Sequence, residues 1–180
     1  MSTYLSILRG INVSGQKMIK MDALKKMYES AGFTNVRTYI QSGNVVFESK
    51  TQKNLASLIG KKIKETFGFD VPVIIRTQKE MKAIVEQNPF LKDKNMELDK
   101  LHVTYLSETP STENLAKISA YNSASDLFII KDKEVYLHCP KGYGNTKLNN
   151  TFFESKLKIT ATTRNWKTTN ELLRIMYDEP

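Results

Sequence analysis

The chain has 180 residues, 26% of them charged and 40% hydrophobic, an ordinary globular composition long enough for one large domain or two small halves with cores. Its one cysteine, Cys139, excludes an internal disulfide framework and a CxxC metal knuckle; no apolar run approaches the ~18 residues of a membrane span and no signal peptide is read, so the expected location is the cytoplasm. The net charge of +8 favours phosphate-bearing ligands, polyanions or anionic surfaces as partners, unless the lysines serve only solubility.

In chain order, residues 4–9 read as a strand, and residues 10–20 as a connection rich in Gly, Asn and Ser. Leu24, Met27, Tyr28 and Ala31 recur at helical spacing, and Gly32 ends that helix. Residues 39–48 then predict two short strands about a tight two-residue turn, with Gly43 at the positive φ such a turn needs and Asn44 tolerant of it. Val45, Val46 and Phe47 are apolar on both faces, which predicts a strand covered on each side. Leu55, Leu58, Ile59, Ile63 and Phe67 mark a second helix, closed by Gly68; residues 71–76 form a strand. Thr77-x-x-Glu80 is a capping box ahead of a helix that Asn88-Pro89-Phe90 stops.

After the polar residues 91–100 the order repeats. Residues 101–107 read as a strand and a helix follows Pro110-Ser111, with Leu115 and Ile118 inward. Residues 127–131 and 134–139 form a hairpin around Asp132; residues 148–157 are helical, residues 158–162 a strand, and Thr168-x-x-Glu171 caps a last helix. The expected architecture is α+β: two tandem ferredoxin-like (split βαβ) halves, residues 1–90 and 101–180, joined by residues 91–100 and each ending in an extra helix.

The stretches Leu8-Arg9-Gly10-Ile11-Asn12-Val13, Tyr39-Ile40-Gln41-Ser42-Gly43-Asn44, Asn88-Pro89-Phe90 and Thr162-Thr163-Arg164-Asn165-Trp166, in that order, resemble the bacterial family known as domain of unknown function 1697. The resemblance covers nearly the whole chain. It implies two ferredoxin-like halves and no established activity.

Arg9, Asn12, Ser42, Asn44 and Arg164 are polar residues at strand ends, in loops or before a helix, where ligands are usually bound. Arginine with amide and hydroxyl donors suits a carboxylate or phosphate. The competing reading gives Ser42, Gly43 and Asn44 to turn geometry and sets Arg9 and Arg164 against buried carbonyls. The glycine-bearing residues 141–147, with Lys147, precede a helix and offer a weaker anion site, or a plain connection with Thr146 as N-cap.

His102 and His138 are the only histidines. Strand alternation groups His102 and Thr104 with Tyr136 and His138, opposite Val103, Tyr105, Val135, Leu137 and Cys139. That makes Cys139 a core thiol facing away from His138, and two histidines with no third ligand imply no metal site. Tyr136 and His138 could instead stack bases, as aromatics do in RNA-recognition modules, although no segment matches their signature. Three functions are therefore carried forward: binding of an anionic small molecule or nucleic acid, small-molecule catalysis by the Arg, Asn and Ser cluster, and protein interaction without chemistry. No cofactor is called for, and nothing fixes the oligomeric state.

Overall fold

The computed structural model describes residues 1–123 and 125–178. It is α+β, with two four-stranded antiparallel sheets and six α-helices among the described residues. The chain divides into two compact units: unit 1 is Met1–Ala83 together with the segment from Glu171 onward, and unit 2 is Ile84–Asn170. No helix of the described residues is long and apolar enough to cross a membrane.

Unit 1 runs β1 (Ser2–Leu8), α1 (Met21–Ser30), β2 (Thr34–Tyr39), β3 (Asn44–Ser49), α2 (Leu55–Phe67), β4 (Val73–Thr77) and α3 (Gln78–Glu86), the last ending in unit 2. Its sheet order is β2-β3-β1-β4. Antiparallel register sets Tyr4 opposite Phe47 and Ser6 opposite Val45 on one face. The apolar stripes of α1 and α2 close over that face, so Leu24, Tyr28, Ile59 and Ile63 join Tyr4, Val45 and Phe47 in one core. Tyr28 sits at its centre, its hydroxyl sharing a 2.7 Å hydrogen bond with Ser6 Oγ. Burial pushes the phenol well above its ordinary range. The opposite face carries Leu5, Ile7, Val46 and Ile74, all buried, so β3 is covered on both sides.

The turn between β2 and β3 differs from expectation. Tyr39 pairs with Asn44, which leaves four residues, 40–43, in the connection. Gly43 does take positive φ (+85°), but the other left-handed residue is Ile40 (φ 50°), and Asn44 is the first residue of β3. Asn44 acts through its side chain, whose Nδ2 donates to Tyr39 O at 3.0 Å and Ser42 Oγ at 3.1 Å across the turn. The capping box at Thr77 is complete: Thr77 N–H donates to Glu80 Oε2 at 2.8 Å, and Glu80 N–H donates to Thr77 Oγ1 at 3.2 Å.

Unit 2 runs β5 (Leu101–Leu106), α4 (Thr112–Ser119), β6 (Leu127–Lys131), β7 (Glu134–His138), α5 (Asn150–Leu157), β8 (Ala161–Asn165) and α6 (Trp166–Tyr177), whose last turns belong to unit 1. The sheet order is β6-β7-β5-β8. Leu106, Val135, Leu137, Cys139, Leu148 and Phe153 form its core. The last strand begins three residues later than the β-branched run suggests. Lys158 takes the left-handed conformation (φ 58°) as the cap of α5, so the extended run starts only beyond it, where Glu154 Oε1 accepts from Ala161 N–H. Thr168 is likewise not a cap. It is a buried residue of α6, and Asn165 Oδ1 accepts from its N–H at 2.7 Å at the helix start.

Candidate functional site

Four of the expected binding residues meet at one end of the unit 1 sheet. The connection after β1 folds back on itself at Asn12, a non-glycine residue at φ 54°. Asn12 Nδ2 donates to Ile19 O (2.9 Å) and Gln41 O (2.8 Å), while Oδ1 accepts from Ile19 N–H (2.7 Å). One amide thus ties its own loop to the β2–β3 turn. Gly43 O accepts from Leu8 N–H, and Arg9 N–H donates to Pro72 O, which fixes the same corner from below. The two Nδ2 hydrogens of Asn12 and those of Asn44 are each matched by two acceptors within the chain. The corner is built by these two amides, whose donors are used within the chain.

Lys147 and Arg164 belong to unit 2. Lys147 is exposed. Its loop turns through Gly142 (φ +87°) and is held to an acid, since Thr146 Oγ1 donates to Asp126 Oδ2 at 2.6 Å. Asn149, not Thr146, caps α5, its side chain accepting from Phe152 N–H. Arg164 is a residue of β8, paired with Val103, and is 8% exposed. Its Nη1 donates to Thr162 Oγ1 (3.0 Å) and Thr163 O (2.9 Å).

Register also corrects the grouping of the central strands. His102 pairs with Leu137, and Val103 with Tyr136. Residues paired across an antiparallel ladder share a face, so His102 and Thr104 lie with Val135, Leu137 and the core, while Tyr136 and His138 lie opposite them. Tyr136 offers no ring to a base: it is 2% exposed, and its hydroxyl donates to Ile84 O at 3.0 Å. Phe90 stands 6.2 Å, centroid to centroid, from the His138 ring, and both His138 nitrogens are shut from solvent without a partner. The segment after α3 covers this end of the face.

His102 stacks on Tyr143 (4.9 Å, 25°), and its Nδ1 has no partner. Burial lowers its pKa from the ordinary 6.5. Cys139 is fully buried, and burial pushes its thiol up to about 11. It is thus an inert core thiol. Among the described residues no group of His, Cys, Asp and Glu could hold a metal ion. Below about pH 6.5 the unfolded state binds a proton at His102 that the folded state resists, so stability should fall as pH drops through that range. Urea melts of wild type and His102→Gln should show a shallower acid loss in the variant; equal slopes would remove His102 as the cause.

Residues 1–136 match the family described as Protein of unknown function (DUF1697). The chain belongs to the DUF1697 family. Its fold is similar to that of the conserved bacterial protein SP0830 from Streptococcus pneumoniae, with a TM-score of 0.80 at 18% identity over 97% of this chain and 98% of that one. No curated protein matches it.

In this DUF1697 chain the Asn88-Pro89-Phe90 motif does more than stop a helix. Asn88 Oδ1 accepts from Phe90 N–H, while its Nδ2 is buried with no partner. Asn88 also lines a groove of about 540 Å³ beside β6. Sequence reading missed this place because its walls, residues 86–92 and 129–131, are separated by about forty positions and share no periodic pattern.

Proposed function

We propose that the chain is a non-catalytic binding protein for a polyanion, engaged through the lysine-bearing helical layer of unit 1. The observation that carries this is the distribution of charge. Residues 1–83 hold 14 Lys and Arg against 6 Asp and Glu, while residues 84–180 hold 13 of each, so the whole net charge of +8 lies in the first stretch. Lys25 and Lys26 on α1 and Lys61 and Lys64 on α2 are exposed. Lys61 and Lys62 share Glu65 at 3.9 and 3.2 Å, while Lys25 pairs with Glu29 at 4.0 Å and Lys64 with Asp70 at 3.0 Å, all exposed pairs that water and salt screen. The Arg9, Asn12, Ser42 and Asn44 corner is the weaker candidate for either ligand or catalysis, because its amides are engaged within the fold. The sheet orders, with each half running β-α-β-β-α-β, support reading both halves as ferredoxin-like. The single buried thiol suits a cytoplasmic protein.

Fluorescence anisotropy with a mixed-sequence single-stranded oligonucleotide tests this reading. Log affinity should fall linearly with log salt, and Lys26→Gln, Lys61→Gln and Lys64→Gln should each reduce the slope by roughly 0.7 for every phosphate no longer neutralised. Binding that is absent, or insensitive to salt, would defeat the proposal.

A further inference from the structure

Unit 2 holds a second feature that the charge of unit 1 does not touch. Strand β6 is the edge of its sheet, with β7 on one side and, among the described residues, no strand on the other. Alternate residues of an edge strand turn N–H and C=O groups outward, a template for another extended chain. The edge is apolar: Leu127 is 52% and Ile129 41% exposed. A wall stands beside it, formed by residues 86–92, where Leu91 is 39% exposed, and groove and wall together enclose about 540 Å³. Lys131 Nζ donates to Gln87 Oε1 at 2.6 Å, joining strand and wall. Asn88 is 4% exposed and contributes to the lining, with its unpartnered Nδ2 shut from solvent beneath it.

We infer that this groove is a peptide site, in which an extended segment of a partner protein adds to β6 as a fifth strand, sets aliphatic side chains against Ile129 and Leu91, and presents a carboxylate to Lys92. Lys92 and Glu86 both line the groove and are exposed; Lys92 forms no ion pair among the described residues, so an acidic residue of the segment is matched at Lys92. A second copy of the chain fits less well. Antiparallel pairing of β6 with itself about Ile129 would set Asp126 against Asp132 of the other copy, and like charges directly opposed are destabilising. The mode is strand addition: backbone bonds give affinity, and alternate side chains give choice.

The probe is a fluorescein-labelled synthetic peptide of alternating valine and glutamate, measured by anisotropy against the full chain. The expected result is saturable binding that drops roughly tenfold or more when alternate backbone nitrogens of the peptide are methylated, because strand pairing needs them. Lys92→Glu and Ile129→Glu change exposed side chains and should weaken binding without changing the melting curve. Hydrogen exchange should slow along β6 alone when the peptide is bound. No saturable binding up to about 1 mM peptide, the bottom of the specific range, overturns the proposal. So does binding that survives methylation, displacement by an equimolar oligonucleotide, or sedimentation showing that β6 is already covered by a second copy.

Discussion

Gly43→Val is expected to lower the urea midpoint more than any other single change at the unit 1 corner. Gly43 has φ +85°, and a Cβ built there would lie 2.6 Å from Ile11 Cδ1, 2.9 Å from Ile11 Cγ1 and 2.9 Å from Leu8 Cβ. The left-handed backbone costs a β-branched residue about 1–2 kcal/mol. Overpacking adds about 1–3 kcal/mol, because Ile11 and Leu8 are buried and have little room to move. The sum, roughly 2–5 kcal/mol, is a large part of the stability of a domain this size. Gly43→Ala should be nearly as harmful, since the clash is already made by Cβ. Ile11→Ala combined with Gly43→Ala should then cost less than the two changes summed. A midpoint for Gly43→Val equal to wild type would show that the turn is not packed in this way.

Arg164→Ala should also destabilise strongly. The guanidinium is buried, and its loss leaves the Thr163 carbonyl and the Thr162 hydroxyl without the partner they have now. Unmet hydrogen bonds of this kind cost about 1–3 kcal/mol, and removing the packed aliphatic stem adds to that. Arg164→Met keeps the stem and should separate the two contributions. The expected melts show lower apo stability with oligonucleotide stabilisation intact. Unchanged apo stability with loss of that stabilisation would return Arg164 to a binding role.

Local chemistry made much of the fold readable. Helical stripes such as Leu24, Met27 and Tyr28, glycine caps such as Gly32 and Gly68, and the Thr77–Glu80 box each act over a few residues, so the sequence states them directly. Errors arose where a longer-range choice decides. Lys158 could have begun a strand, but the left-handed cap of α5 claims it. Alternation within each strand is legible, yet it leaves the register between strands free; pairing His102 with Leu137 moves it to the face opposite Tyr136. The polar motifs are visible as types, while their partners are not. Asn12, Asn44 and Arg164 look the same in sequence whether they meet a ligand or a carbonyl of their own chain, and here their bonds run to the chain itself.

The division of the chain has a bearing on how it is made. Unit 1 is closed by residues 171–178: Arg37 Nη1 donates to Asp178 O at 2.7 Å and Gln78 Nε2 to Met176 O at 2.5 Å, with Leu172 and Met176 buried. During vectorial synthesis the sheet of unit 1 emerges first but lacks these groups until all of unit 2 has followed. A nascent chain that has reached only about residue 100 would therefore hold the Arg37 and Gln78 donors to water, and the last turns of α6 act as a latch that closes on a sheet made before unit 2.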